Sequence, residues 1–444
     1  MSNKTELGPL FLNNQAFWEH HQWYDSIPVV FGDGDPCDYA PIYFKNDKKK
    51  KRLCFSVDRN GTVESSYYIG VDWLKMNKKA VCVQSKVNRE SEGQIDYLRM
   101  LFQALKHPDV MDHVKDLYEI KWDLPEIKIS QQLDQLTPFL ILQFLQLVKV
   151  IVRKGLKKSY YRVERNLRST VKGKIMMASN IKTNIAKGRL IQHKCSFDEF
   201  GFDGLDNRIL KKALVFVTRY ISANKQMFNN NIFEEMLGYI MPAFAVVSDD
   251  VDIKDCKHLR VNPFFKEYKD AIDLAQKILR RFSYNINNTL ENHHSVPPFW
   301  IDMSKLFELY VLGLLMDKYG GKQVAYHPRT RGNELDYIIC APELKMVVDA
   351  KYKLRYRPDV ERVDHRDIRQ VSGYARLNMV RNMLNVADNE IIDCLIIYPD
   401  PNGFVGTGER FELDIDKKEH IDDYIKMYKL GVFLPKIEAG NWAY

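Results

Sequence analysis

The segment ELDYIICAPELKMVVDAKYK, residues 334–353, constrains this chain more than any other stretch. Its Ile, Val and Tyr content suits a pleated, half-buried surface, and Pro342-Glu343 supplies a turn between two short strands. Strand side chains alternate between faces, so Asp349 and Lys351 project to one side while Val348 and Ala350 point to the other. Hairpin pairing brings Asp336 beside them. Two acids and an amine converging at one sheet edge suit metal-assisted phosphodiester cleavage. Mg²⁺ takes one or two carboxylates and fills its remaining positions with water and phosphate. A bound ion polarises the scissile phosphate and lowers the pKa of its water, and the lysine holds the attacking water or offsets developing charge. The main-chain carbonyl of Ala350 is a further candidate ligand. Nitrogen and sulfur donors are absent from this set, so Mg²⁺ or Mn²⁺ is the expected cofactor and zinc is not.

Asp-x-Lys alone is also an ordinary solvent-facing ion pair on a strand. The flanks favour a site. Met346, Val347 and Val348 lead directly into Asp349, which implies a strand entering a core. Upstream, residues 301–320 place Met303, Leu306, Phe307, Tyr310, Val311, Leu314 and Leu315 on one helical stripe, with Glu308 at its border. Downstream, Gln370 and Tyr374 are spaced to share a helix face.

A helix with Glu, a strand with Asp, a strand with Asp-x-Lys and a helix with Gln-x-x-x-Tyr resemble the PD-(D/E)xK nuclease superfamily. More narrowly the chain is similar to McrC, the nuclease subunit of McrBC-type modification-dependent restriction systems. The matching pieces are LFELYV (306–311), Asp336 followed by DAKYK (349–353), and Gln370 with Tyr374. DNRILKKAL (206–214), with the Cys195 segment before it, and VNPFFKEYKDAIDLAQKIL (261–279) match outside the nuclease. The resemblance implies Asp336, Asp349, Lys351, Glu308 and Gln370 as catalytic residues. Asp336, Asp349, Ala350 and Glu308 would hold the metal. It also implies DNA as substrate, an AAA+ NTPase (McrB-like) partner ring engaged through the N-terminal region, a hetero-oligomeric complex and a role in defence against foreign DNA. No G-x-x-x-x-G-K-[ST] loop occurs in the chain, so the motor is expected on another polypeptide.

Composition is compatible with that reading. Hydrophobic residues make up 45% of 444 and charged residues 28%, the balance of a globular protein with room for several cores. The net charge of +8 favours a polyanionic partner. Seven scattered cysteines form no C-x-x-C pair, and His20-His21 and His293-His294 read as surface pairs, so reduced thiols and a cytoplasmic location are expected. The most apolar stretch, Pro138 to Val152, is interrupted by Gln143, Gln146 and Lys149 and is too short to span a bilayer.

A mixed α+β fold in three parts is expected. Residues 1–130 form a strand-rich module, with strands at 52–58, 65–71 and 79–87, turns at Asn60-Gly61 and Met76-Asn77, and a basic run from Lys48 to Arg52. Residues 131–295 are mainly helical, with Asp206 capping one helix. In this part Arg162, Arg165 and Arg168 either track phosphates or line a solvated helix face. Residues 296–444 form the nuclease, with a core strand at 393–399, a strand at 410–416 and a helix at 420–430. Lys353 and Tyr374 are further candidate nucleic-acid contacts. Two other functions remain open on the residues: a stand-alone nuclease, and a non-cleaving adaptor that stimulates a partner NTPase.

Overall fold

The computed structural model describes residues 17–18, 39–46, 52–57, 63–84, 95–107, 110, 113–114, 116–130, 136–223, 231–252, 266–283, 293–330, 332–353, 364–387, 389–405 and 412–436. The expected turn at Asn60-Gly61 and the basic residues Lys48 to Lys51 lie outside them. Where composition divides the chain in three, its contacts divide it in two: residues 1–139 with 291–444, and residues 140–290.

In the first unit, the strand Phe299–Asp302 lies between Tyr68–Lys75 and Tyr118–Ile120 and is antiparallel to both. Gly70 permits this. A Cβ there would lie 2.0 Å from the Phe299 carbonyl oxygen, closer than any side chain tolerates. Asp72 ties the three strands together from the inside. It accepts from Lys121 Nζ at 2.5 Å, from Trp300 Nε1 at 2.7 Å and from the Trp73 amide at 2.8 Å. Every polar atom of such a buried knot needs its partner, so the knot specifies one strand arrangement. The turn expected at Met76-Asn77 is present, with Asn77 in the left-handed region.

The helix Met303–Tyr319 follows at once. Asp302 caps it by accepting from the Lys305 amide at 3.0 Å. The expected stripe is buried, and so are Leu309, Leu312, Gly313 and Met316. The helix is therefore enclosed on nearly every side rather than on one. Gly313 lets it approach the helix Tyr97–Leu105 closely, since a Cβ there would meet the Gln103 carbonyl oxygen at 2.6 Å.

Six strands then form one sheet, in the order Val324–Tyr326, Tyr337–Ala341, Leu344–Ala350, Asp393–Val405, Met427–Pro435 and Glu419–His420. The hairpin of the second and third strands is antiparallel, and Asp393–Val405 runs parallel to strands on both sides. One face carries Ile338, Val347, Cys394, Ile396 and Tyr398, covered by Ile368, Val371, Val380 and Leu384. These last four come from the helices His365–Ala375 and Asn378–Leu384. Side chains of the opposite parity point away from these helices, and Tyr337 among them donates to the Glu308 main-chain oxygen at 2.6 Å.

The helix expected at 420–430 is a correction. The chain there runs through turns, with Asp423 and Lys426 at positive φ, into the strand Met427–Pro435. The strand expected at 410–416 is in its described part a short 3-10 turn, Ile415–Lys417. Burial beside a parallel neighbour overrides the helical spacing of Ile421, Tyr424 and Met427.

The second unit holds most of the helix Leu136–Lys154, the helices Leu205–Ala223, Asn231–Ile240 and Lys266–Ser283, and a three-stranded sheet. That sheet corrects the expected helix face at Arg162, Arg165 and Arg168. These residues lie on the strand Ser159–Arg168, paired antiparallel over ten positions with Gln192–Gly201. Asp206 is another correction. It sits inside the first helical turn rather than at its cap, and it pairs with Lys157. The neighbouring Asn207 donates to the Lys157 and Phe202 carbonyls at 2.9 and 2.6 Å and accepts from the Tyr268 hydroxyl at 2.8 Å. The NRILK resemblance thus marks a structural junction.

Candidate active site

Pairing of Tyr337 with Val348 sets the hairpin register, and Asp336 and Asp349 flank that pair on adjacent strands. The Ala350 amide donates to Asp336 Oδ2 at 2.8 Å, which holds the first carboxylate against the end of the second strand. Asp349 is only 1% exposed, and neither of its oxygens has a partner in hydrogen-bond geometry; the Lys351 ammonium lies 2.8 Å from Oδ2. Lys351 also donates to Gln370 Oε1 at 3.0 Å, and Gln370 donates to the Tyr374 hydroxyl at 2.6 Å. The helix His365–Ala375 thus brings its glutamine to the lysine, as the i,i+4 spacing requires.

Glu308 reaches the same place from the helix Met303–Tyr319. It accepts from Tyr326 Oη at 2.7 Å and from Lys305 Nζ at 3.3 Å, and its Oε1 contacts His327 Nε2. One ligand atom each of Glu308, His327 and Asp336 lies within 4.8 Å of the others.

The electrostatics are those of a site with excess negative charge. Burial, followed by the charges of Asp349 and Glu308, pushes the Asp336 carboxyl well above its ordinary value. Burial also raises Asp349, although Lys351 works against it. Burial disfavours charge on Lys351, but Asp349 and Asp336 outweigh it and hold the ammonium above its usual range. Burial likewise opposes charge on Glu308, where His327 and Lys305 prevail and keep the carboxyl low. Two crowded, buried carboxylates, one with its Oδ1 unpartnered, fit a divalent cation, which would neutralise them and lift the repulsion.

A family model for the McrBC 5-methylcytosine restriction system component matches residues 63–384. The chain belongs to this McrBC family. No curated protein sequence matches it. Two solved Thermococcus gammatolerans assemblies are similar to it. One is a half-complex from a tetradecameric assembly of McrB AAA+ hexamers with bound McrC, at 16% identity and a TM-score of 0.37, covering 97% of this chain and 96% of that one. The other is the McrBC complex, at 16% identity and a TM-score of 0.30, covering 68% and 86%. Membership of the McrBC family rests on the family-model match.

Of the residues read from sequence, Asp336, Asp349, Lys351, Glu308 and Gln370 come together in this McrBC-family chain. Ala350 enters through its N–H, as the donor to Asp336. Lys353 donates to both oxygens of Asp367 at 2.8 Å and to Asp364 at 3.3 Å. Tyr374 is engaged by Gln370. Arg162, Arg165 and Arg168 belong to the other compact unit, where Arg162 donates to Ser196 Oγ at 2.7 Å.

His327 was not legible as a site residue. Its imidazole stands beside Glu308 and Asp336, a nitrogen that the hairpin sequence does not show. Its signal was present only as spacing, nine residues before Asp336 and outside the hairpin. Among the described residues, no helix is long and apolar enough to cross a membrane.

Proposed function

We propose that this McrBC-family chain is the DNA-cleaving subunit of its restriction system, a metal-dependent endonuclease that acts with an AAA+ NTPase partner. The observation that carries the reading is the convergence of Asp336, Asp349 and Lys351 on one sheet end, with Glu308 and Gln370 beside them. The two aspartates and the lysine come from the two arms of one hairpin, and Glu308 and Gln370 come from two separate helices, a degree of assembly that a chance surface ion pair does not need.

Asp336, Asp349 and Glu308 are the residues that would hold a divalent cation, which when bound polarises the scissile phosphate and activates water. Lys351 lies between Asp349 and Gln370, so its ammonium is oriented before substrate arrives. From there it holds the attacking water and offsets charge on the phosphoryl oxygens in the transition state. Gln370 fixes the direction of that ammonium, and Tyr374 fixes Gln370. Ala350 keeps Asp336 turned towards the site. Burial of the group keeps bulk water from screening these charges.

The partner reading is supported by family membership and by the lack of a nucleotide-binding loop in this sequence. The substrate in this reading is DNA bearing 5-methylcytosine, the base named by the family description. Reconstitution tests the division of labour. This chain, its NTPase partner, methylated DNA, NTP and Mg²⁺ together should give cleavage, and omission of partner, NTP or metal should abolish it. Cutting by this chain alone at the rate of the full mixture would show a stand-alone nuclease instead.

A further inference from the structure

His327 stands where the chain turns back towards the hairpin. Its φ of 48° is in the left-handed region, and its main-chain N–H donates to the Asp336 carbonyl at 3.0 Å. The two-stranded ribbon that follows pairs Arg329 with Glu334 and returns Glu334 to the imidazole. His327 Nδ1 lies 3.0 Å from Glu334 Oε1, and Arg329 holds that same oxygen at 2.7 Å. His327 Nε2 contacts Glu308 Oε1, one ligand atom of the imidazole lies within 4.8 Å of carboxylate oxygens of Glu308 and Asp336, and Nδ1 faces Glu334. A divalent cation among the imidazole and the two carboxylates would take the place of the proton shared by Nε2 and Glu308. A histidine whose far nitrogen is tied to a carboxylate is the arrangement by which proteins orient imidazole towards a metal.

Two independent observations point the same way. Asp349, nearly sealed from solvent, is paired at Oδ2 by Lys351 and has no hydrogen-bond partner on Oδ1. The side-chain partners of Glu308 (Lys305, Tyr326 and His327) all sit on Oε1, which leaves Oε2 for a further ligand contact.

We propose that His327 Nε2 ligates the same divalent cation as Asp336 and Glu308, and that this nitrogen makes the site select Mn²⁺ over Mg²⁺. The proposal rests on the reading of this site as a metal-dependent nuclease centre. Mg²⁺ strongly prefers oxygen ligands, whereas first-row transition ions gain affinity from imidazole.

The test uses the metal-free full chain. Mn²⁺ and Mg²⁺ binding are measured by calorimetry, and the Mn²⁺ complex is examined by electron spin-echo envelope modulation, which detects directly bound nitrogen. Wild type should bind Mn²⁺ at least ~10-fold more tightly than Mg²⁺ and show imidazole nitrogen modulation. His327→Ala should lose the modulation and ~10- to 100-fold in Mn²⁺ affinity, with Mg²⁺ affinity changed by less than ~3-fold. Glu334→Gln, which leaves the imidazole in place, should weaken Mn²⁺ a few-fold, and it carries the test if His327→Ala does not fold. An unchanged Mn²⁺/Mg²⁺ ratio, or modulation persisting without His327, overturns the proposal. Asp336→Asn separates the two levels of the argument. If it abolishes binding of both ions while the ratio is unchanged in His327→Ala, the carboxylate centre stands and only the histidine is removed. If Asp336→Asn binds both ions like wild type, the nuclease-centre reading fails with it.

Discussion

Lys351 donates to Gln370 across 3.0 Å, so this amine is aimed by a residue on a different element from the carboxylate it pairs with. Gln370 is exposed, while Lys351 is mostly enclosed and Asp349 is buried. This ordering separates what each contributes. Lys351→Ala should cost on the order of 100- to 1,000-fold in cleavage rate, the scale of losing a charge-stabilising donor. Gln370→Ala should cost about 10-fold, since it only misdirects the amine. Single-turnover cleavage in the assembled complex measures both. Equal losses would mean that Gln370 touches the reacting atoms itself.

Asp72 should matter to stability and not to chemistry. Asp72→Ala leaves the Lys121 ammonium largely buried without its carboxylate and removes the Trp300 acceptor. Breaking a buried pair on one side typically costs about 3–5 kcal/mol, so a large drop in the denaturant midpoint is expected. A loss below ~1 kcal/mol would show that solvent reaches Lys121 and replaces the pair.

Asp302 gives a pH-dependent prediction. Burial pushes its carboxyl up from 3.8 to about 6, with the Glu308 charge adding to it. Between those values the folded chain holds a proton that the unfolded chain has released, so stability falls as pH rises. Above about pH 6 the full cost is present, on the order of 2–3 kcal/mol. Asn also caps helices, so Asp302→Asn should keep the bond to the Lys305 amide without that cost. Urea denaturation should show the variant gaining over wild type at pH 8 and losing that gain by pH 4. A gain independent of pH would contradict the burial argument.

The interleaving of the first unit predicts that residues 296–444 do not fold alone. Phe299–Asp302 would lose the strand neighbours on both sides, and Gly313 would lose the helix Tyr97–Leu105. Circular dichroism of that fragment should show no cooperative thermal transition. A sharp transition would restore an independent nuclease domain.

The hairpin was legible because strand alternation, turn chemistry and Asp-x-Lys spacing all act within residues 334–353. Glu308 and Gln370 were legible because each lies on a helix with a clear face. What local sequence could not show is long-range pairing. Phe299–Asp302 joins strands more than 170 residues earlier, and Met427–Pro435 is a strand only because Asp393–Val405 lies beside it. The same limit hid His327, whose role depends on Glu334 and Glu308 arriving from either side. It hid the fate of Lys353 too, since Asp364 and Asp367 belong to a helix eleven or more residues downstream.

In the proposed function, Asp336 and Asp349 form a cutting centre distinct from whatever this chain does to its partner. The most direct measurement compares wild type and Asp349→Asn in the assembled complex, scoring DNA cleavage and NTP turnover in the same reaction. Asp349→Asn should stimulate NTP turnover like wild type and leave methylated DNA uncut, a loss of at least ~1,000-fold. Cleavage within a few-fold of wild type by Asp349→Asn would contradict it.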